Sequence, residues 1–209
     1  MRRSMMFGDN IYEPLKYIES SGSQYIDTGL FLDYSKQFSL SMDFYAKGIN
    51  ERQCFFSNIS VPPVNSTSIW CELAVNNQYR FGFASTNILY SQLSLGENSV
   101  SFTHNESLNF IEVNEQNSPS YVDNRTSTAP ASLLMFRDYR SSIFTNRYQC
   151  KNATIIVDNL LIRNFIPCCR KSDNKIGMYD VVGKQFYDNQ GTGEFGYEKL
   201  DGTYVAPIE

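Results

Sequence analysis

The chain carries little positive charge and no extended basic segment. Its 209 residues include 18 Lys and Arg against 22 Asp and Glu, which gives a net charge of −4. The only dense basic run is Arg170-Lys171 near Arg163, too little to follow a phosphate backbone. The composition therefore argues against a nucleic-acid partner.

Long apolar runs are also missing. No stretch of about 18 apolar residues occurs, so we expect no membrane-spanning helix. Near the start, Arg2 and Arg3 have the charge of a signal peptide, but Asp9 and Asn10 interrupt the apolar segment that export requires. We therefore predict neither membrane insertion nor Sec export.

Cysteine and histidine are too sparse for most metal-binding sites and for a catalytic relay of nucleophile and histidine base. The five cysteines form no CxxC pair, which argues against a disulfide framework and a zinc ribbon. We expect reduced, mostly buried thiols, with the adjacent Cys168 and Cys169 pointing to opposite faces of an extended strand. His104 is the single histidine, and its Asn-Glu-Ser neighbours indicate a solvated turn residue rather than a metal ligand or catalytic base.

Helical periodicity is nearly absent, whereas strand-like runs are frequent. The 15 Phe and 14 Tyr favour strands. Short or alternating apolar runs bounded by Gly, Asn, Ser and Pro occur at residues 15–19, 25–28, 38–45, 54–59, 69–75, 79–84, 99–104, 108–113, 133–137, 153–158, 160–165, 176–180 and 185–187. These thirteen runs predict an all-β fold, a two-sheet antiparallel jelly-roll sandwich.

Three segments give more detailed predictions. Residues 38–44 alternate perfectly, so one face should lie in the core. Asn76-Asn77 suits a hairpin turn between two paired strands, since Asn tolerates positive φ. Residues 114–130 are polar and indicate a long loop, from which Tyr121-Val122 can add an edge strand.

No composition shift divides the chain into two domains. We expect an N-terminal arm at residues 1–13, a sandwich at 14–200 and a weaker arm-like tail at 201–209. Such an arm can order against a partner. Its proposed attachment residues are Arg2, Arg3, Met5, Met6 and Phe7.

Two segments carry a family resemblance. Residues 15–29 read LKYIESSGSQYIDTG, residues 161–180 read LIRNFIPCCRKSDNKIGMYD, and the second match continues through FYDNQGTG at 186–193. Both resemble concanavalin A-like, laminin-G-like domains of phage and prophage structural proteins and of gut-bacterial surface proteins. The resemblance covers about 60 residues at the two ends and implies a concanavalin A-like sandwich in which the first and last segments lie side by side.

Small residues within these motifs have a structural interpretation. Gly22, Gly29, Gly177, Gly191 and Gly193 lie where turns need positive φ or close backbone approach. We expect Pro167 to end a buried strand, because it lacks the amide donor. The motif thus indicates a fold more than an active site.

The resemblance and the missing export signal favour a non-enzymatic bacteriophage virion protein, part of a fibre, spike or decoration on head or tail. It would join other virion proteins through the arm and form a symmetric homo-oligomer with avidity for host-surface glycans. The alternative is a bacterial surface adhesin or carbohydrate-binding module. A divergent glycoside hydrolase is a third hypothesis, but the ExDxxE pattern is absent, and Glu112 and Glu115 would point to opposite faces of a strand.

Sugar binding requires exposed aromatic rings beside planar polar groups. The candidates fall on the central strands or variable loops: Trp70, Tyr79, Arg80, Tyr121, Asn124, Arg125, Tyr139 and Arg140. No cofactor is predicted. Calcium stays an open alternative, although no D-x-[DN]-x-[DN]-G run occurs and Asp173-Asn174 and Asp188-Asn189 have the composition of turns.

Overall fold

Strands make up all the regular secondary structure that the computed structural model describes. The described residues are 11–47, 52–58, 69–73, 78–83, 86–90, 95–105, 108–122, 128–129, 131–137 and 148–209. Within them, no helix is long and apolar enough to cross a membrane. The strands are β1 (Tyr12–Glu19), β2 (Ile26–Asp27), β3 (Phe38–Ala46), β4 (Gln53–Ser57), β5 (Ile69–Leu73), β6 (Tyr79–Phe83), β7 (Thr86–Tyr90), β8 (Gly96–Asn105), β9 (Leu108–Val113), β10 (Gln116–Asn117), β11 (Tyr121–Val122), β12 (Leu134–Met135), β13 (Tyr148–Val157), β14 (Leu160–Arg170), β15 (Lys175–Asp180), β16 (Gln185–Asp188), β17 (Gly196–Lys199) and β18 (Tyr204–Val205).

The strands form two antiparallel sheets. The large sheet has twelve strands, nine of them in the order β10-β9-β8-β3-β13-β1-β14-β15-β16, with β11 on β9 and the β17-β18 pair on β1. The small sheet has six strands in the order β2-β12-β4-β5-β6-β7. The prediction of an all-β, two-sheet sandwich is confirmed.

The strand β3 shows how alternation places the core. Phe38, Leu40, Met42 and Phe44 are buried, whereas the intervening residues are more exposed. On the opposite face, Ser41 donates a hydrogen bond to Ser101 of β8 over 3.0 Å. One face of β3 therefore lies in the core, as the sequence pattern predicts.

A cluster of aromatic rings joins the two sheets. Phe55 of β4 lies 4.8 Å from Phe44 of β3 and 6.0 Å from Phe102 of β8, measured between ring centroids. It also lies 5.1 Å from Tyr148 of β13 and 6.0 Å from Tyr79 of β6. Phe55 thus contacts three strands of the large sheet while belonging to the small one.

The two ends of the described chain are adjacent strands of the large sheet. β1 pairs antiparallel with β14 and with β17, and β17 pairs with β18. This confirms that the first and last segments lie side by side. It also corrects two boundaries, because Tyr12 and Glu13 belong to β1 rather than to an arm, and residues 201–209 contribute β18 and a bridge from Ile208 to Glu194.

The glycines of the C-terminal motif allow close backbone contacts. A Cβ at Gly191 would lie 1.9 Å from the carbonyl oxygen of Ser23. Gly193 has φ of +67°, and a Cβ there would lie 2.0 Å from the carbonyl oxygen of Ile208. A side chain at either position would therefore displace the N-terminal or C-terminal segment, as the structural interpretation of the motif predicts.

Pro167 does not end a strand, which corrects another prediction. It lies inside β14, opposite Met178 of β15. On the other edge, β14 pairs with β13 as far as Phe165 and with β1 from Cys168 onward. Pro167 lies between the part of β14 that pairs with β13 and the part that pairs with β1. No backbone pairing to either strand is needed at this position, so the strand tolerates the missing amide donor of proline.

The remaining strand predictions are confirmed, but the predicted turn between β5 and β6 lies outside the described residues. Each of the thirteen predicted runs overlaps an observed strand, and Tyr121–Val122 pairs with β9 as an edge strand. The strands β5 and β6 are paired as expected, but Asn76 and Asn77 lie outside the described residues. Sequence patterns missed β7, β10, β17 and β18, the last three of which have only two to four residues.

All five cysteines are free and buried, which confirms the expected burial. Cys168 and Cys169 do point to opposite faces of β14, and each packs in a different hydrophobic cluster. Burial raises the pKa of the Cys168 thiol to about 12, and it also raises the pKa of Cys71 and Cys150. At neutral pH these three groups are thiols rather than thiolates.

Removing the Phe55 ring should weaken the contact between the sheets. We expect Phe55→Ala to lower the free energy of unfolding by about 3–5 kcal/mol, because it leaves a cavity between four aromatic rings. Urea denaturation measures this change. The control Phe31→Ala removes a ring that is 54% exposed and should shift stability by about 0.5 kcal/mol or less. Equal losses from both variants would contradict the central role of Phe55.

Thiol reactivity tests the burial of the cysteines. At pH 8 the native protein should react slowly with Ellman's reagent, because the thiols are inaccessible and the pKa of Cys168, Cys71 and Cys150 is raised. Cys169, which is 9% exposed, should react first. All five should react promptly in denaturant, and an immediate reaction of five equivalents in the native state would contradict the fold.

Candidate functional site

An open polar groove lies on the outward face of the large sheet. It has a volume of about 500 Å³ and is lined by Lys16, Tyr17, Tyr45, Glu97, Gln149, Lys151 and Glu198. We call it the outer-face groove. Its lining residues come from β1, β3, β8, β13 and β17. These strands are neighbours in the sheet, so the groove crosses them.

Strand register places the groove residues in rows across the sheet. In one row, Glu97 pairs with Tyr45, Tyr45 with Gln149, and Gln149 with Glu19. Because paired residues of neighbouring strands share a face, these side chains all point outward. Neighbouring strands lie about 4.8 Å apart, so the row is continuous.

A second row continues in the same direction beyond β1. Tyr17 pairs with Glu198 of β17, and Glu198 pairs with Tyr204 of β18. The register of β1 shifts between Leu15 and Tyr17. Together the two rows extend across six strands, from β8 to β18.

Two tyrosine rings are accessible along the rows. Tyr45 is 39% exposed and Tyr204 is 47% exposed. The Nζ atom of Lys47 lies 5.2 Å from the centroid of the Tyr204 ring, a cation–π contact. The Tyr45 ring lies in the groove with carboxylates, ammonium groups and the nearly covered Gln149 amide, and the Tyr204 ring lies farther along the row.

Ion pairs fix the charged side chains of the groove. Lys16 donates a hydrogen bond to Oε1 of Glu198 over 2.5 Å, and Lys151 pairs with Glu97. Beside the groove, Lys47 donates to Oε2 of Glu19 over 2.6 Å. These contacts hold the carboxylates in place on the outward face.

The pKa values of two groove residues follow from these contacts. The pKa of Glu198 is lowered by hydrogen bonds from Lys16 and from the Tyr17 hydroxyl. Burial and the hydrogen bond to Glu198 raise the pKa of Tyr17. Glu198 is therefore an ionised acceptor and Tyr17 a neutral donor at neutral pH.

Comparison with known proteins supports the fold. No protein-family model and no curated protein matches the chain significantly. A solved structure of a candidate carbohydrate-binding protein from Bacteroides ovatus matches 94% of this chain with a TM-score of 0.59 and 11% identity. The chain has a concanavalin A-like sandwich fold. It corresponds to 62% of the length of the Bacteroides protein.

Two further solved structures resemble this sandwich less closely. Domains LG4-5 of the mouse laminin α1 chain match 73% of the chain and 43% of their own length, with a TM-score of 0.49 and 12% identity. The CBM40 of a Ruminococcus gnavus sialidase, bound to α2,3-sialyllactose, matches 70% of the chain and 90% of its own length, with a TM-score of 0.46 and 10% identity.

Two of the aromatic residues predicted to bind glycan are buried in the sandwich, which corrects those predictions. Trp70 is 4% exposed and lies across Gly82, where a Cβ would come within 2.0 Å of the indole Cε2. Tyr79 is fully buried and packs against Phe55. Neither ring offers a face to a sugar.

Arg80 has a structural partner. Its guanidinium lies 3.2 Å from Oε1 of Glu72, and the same oxygen accepts a hydrogen bond from Arg52 over 2.8 Å. Glu72 is completely buried, so the two arginines compensate its charge. Removing either arginine would leave that carboxylate less well compensated.

The other predicted candidates are not tested. The backbone of Tyr121 pairs with Asn109, but its side chain is not described. Asn124, Arg125, Tyr139 and Arg140 lie outside the described residues, as do the arm residues Arg2, Arg3, Met5, Met6 and Phe7. Their proposed roles stay predictions.

His104 is not a solvated turn residue, which corrects that prediction. It lies in β8 and is completely buried. Its Nδ1 atom is 2.9 Å from Oδ1 of Asn109, and its Nε2 atom is 3.1 Å from the carbonyl oxygen of Tyr34. Both ring nitrogens therefore have polar partners inside the protein, and these contacts join β8 to β9 and to the segment before β3.

The predicted turn residues near the C-terminal motif do form turns. Asp173 accepts a hydrogen bond from the Lys175 amide over 3.3 Å, and Asn189 accepts one from the Gly191 amide over 2.8 Å. Asp173 and Asp188 also form ion pairs with Arg170 and Lys175. Across the described part of the chain, no three His, Cys, Asp or Glu side chains are grouped closely enough to hold a metal ion.

Sequence reasoning missed the outer-face groove, although one signal was present. Tyr45 follows Ser39, Ser41 and Asp43 on the polar face of β3, and an aromatic residue on a polar face indicates an exposed ring. Glu198 and Tyr204 gave no comparable signal, because β17 and β18 are too short to show alternation.

The hydrogen bonds to Glu198 can be tested by titration. Because its pKa is lowered, Glu198 should stay mostly ionised near pH 4.3, where a free glutamate is half protonated. The stabilisation from its contacts should be present above that pH and disappear as the pH falls through the lower, folded-state pKa. Carboxyl NMR titration measures this value. Lys16→Met should move it back toward the ordinary value, and an unchanged titration would contradict the pairing.

Proposed function

We propose that this chain is a non-enzymatic, lectin-like carbohydrate-binding module and that the outer-face groove holds the glycan. The observation that carries the proposal is the alignment of exposed tyrosine rings with fixed polar groups across six neighbouring strands. Aromatic faces pack against the C–H groups of pyranose rings, while carboxylates and amides hydrogen-bond the hydroxyls. Tyr45 in the groove and Tyr204 farther along the row provide the rings, and Glu97 and Glu198 provide the polar groups.

The shape of the groove suits an extended ligand. The groove is open to solvent and follows the rows of side chains perpendicular to the strands. Its polar groups are preorganised by ion pairs, so little side-chain freedom is lost on binding. A short oligosaccharide lying along the row would contact several strands at once.

The fold is compatible with this proposal without deciding it. The Bacteroides protein that matches most of the chain is described as a candidate carbohydrate-binding protein. The same type of sandwich carries many functions, so the proposal depends on the groove rather than on the fold.

The charges of the groove argue against glycoside hydrolysis there. A hydrolase of the usual kind needs one carboxyl group with a raised pKa to protonate the leaving oxygen. The pKa of Glu198 is shifted in the opposite direction by Lys16 and Tyr17, and both oxygens of Glu97 are bonded to Lys151. These carboxylates are suited to accepting hydrogen bonds from a sugar.

The Bacteroides match is consistent with this module and gives no support to the virion protein predicted from the sequence. A bacteriophage fibre, spike or decoration, attached through residues 1–13 and assembled as a homo-oligomer, stays a sequence-based prediction. The module has the same role on a bacterial cell surface or on a virion, because avidity strengthens repeated weak contacts in either setting. The proposal therefore concerns the binding surface of the sandwich.

The Tyr45 ring provides the first test. A glycan array with the purified protein should identify a ligand, and calorimetry should then show that Tyr45→Ala weakens binding about tenfold or more, or about 1.4 kcal/mol. Tyr45→Phe keeps the ring and should retain most of the affinity. Phe31→Ala, which removes an exposed ring outside the groove, should bind as the wild type does.

Two results would contradict the proposal. One is saturable glycan binding that Tyr45→Ala leaves unchanged, which would place the site elsewhere on the sandwich. The other is the absence of binding to neutral and acidic glycans alike by the folded protein.

A further inference from the structure

Among the residues that the structure describes, each cation that lines or borders the outer-face groove is engaged by a carboxylate. Lys16 pairs with Glu198 and Lys151 with Glu97, while Lys47 at the edge pairs with Glu19. Three ammonium groups thus face three carboxylates, so the charges of these described side chains balance. No arginine is among the lining residues in the part of the chain that the structure describes.

An acidic sugar would need a different arrangement. Carboxylate, sulfate and phosphate groups are bound most strongly by uncommitted cations, especially by the planar fork of arginine. In this groove an anionic group could approach Lys16 or Lys151 only by competing with Glu198 or Glu97. It would then lie within a few ångströms of a like charge, which disfavours that ligand.

A neutral sugar meets no such competition. A carboxylate offers two oxygens and about four lone-pair directions, so a lysine partner does not exhaust its capacity to accept hydrogen bonds. Sugar hydroxyls can donate to Glu97 and Glu198 without separating an ion pair. The Gln149 amide and the exposed rings carry no charge.

Resting on the proposed function, we infer that the outer-face groove selects neutral glycans and rejects sialylated, uronic or sulfated ones. Glu97 and Glu198 are the specificity-determining residues, because each holds a lysine that an acidic sugar would otherwise engage.

Glu97→Gln is the most direct test. Glu97 is 66% exposed, so the substitution should not disturb folding, and it removes the partner of Lys151. An array should carry each neutral oligosaccharide beside its sialylated or sulfated counterpart. The wild type should bind the neutral member of each pair. In the variant, the ratio of acidic to neutral affinity should rise at least tenfold.

A salt titration and a control variant outside the groove complete the test. Acidic binding gained by Glu97→Gln should weaken as NaCl rises from 50 mM to 500 mM, because a new ion pair is screened, whereas neutral binding should change little. Glu198→Gln should give a similar gain through Lys16. Asp173→Asn disrupts an exposed Arg170 ion pair outside the groove and should leave the wild-type preference unchanged.

The outcomes separate the inference from the proposed function. Wild-type preference for acidic glycans, abolished by Tyr45→Ala, would overturn the inference and leave the groove as the binding site. Neutral binding with no acidic gain in Glu97→Gln or Glu198→Gln would overturn the role given to the two carboxylates. Absence of binding to every member of the array would overturn the proposed function, and the inference with it.

Discussion

The aromatic contact between the sheets determines what the outward face presents. Phe55 packs against Phe44 and Tyr148, and each of these is followed in its strand by a residue of the opposite face, Tyr45 and Gln149. Because side chains alternate along a strand, burying the first pair turns the second pair toward the outward face, where Tyr45 is 39% exposed and Gln149 is nearly covered. A one-residue slip of β3 would bring Tyr45 into the core and remove the accessible ring from the groove.

Pairing between strands from the two ends of the chain completes the groove. β17 and β18 add to β1, which brings Glu198 and Tyr204 beside Tyr17. Close backbone approaches at Gly191 and Gly193 allow that arrangement, since a side chain at either position would collide with Ser23 or Ile208. The glycine-containing motif of the last segment thus contributes to the groove indirectly, by positioning short strands.

Ion pairing orders the charged side chains of the groove. Exposed ion pairs contribute little to the free energy of unfolding, so pairs such as Lys151–Glu97 are not explained by stability. Their effect is to fix carboxylate acceptors on the sheet and to neutralise the lysines beside them. The buried Glu72, held between Arg52 and Arg80, shows the contrasting case, in which pairing compensates a charge inside the fold.

The sequence by itself determined the strands and the layers, because alternation in residues 38–44 and glycines in the terminal motifs act over a few neighbouring positions. Only the tertiary structure decided which aromatic rings face solvent: Trp70 and Tyr79 are buried, whereas Tyr45 is exposed. It also decided the charge pairs, since Lys16 and Glu198 are separated by 182 positions and Lys151 and Glu97 by 54. Burial and ion pairing depend on which strands become neighbours in the folded sheets. A local sequence pattern spans a few residues and carries no information about which distant strand will lie beside it.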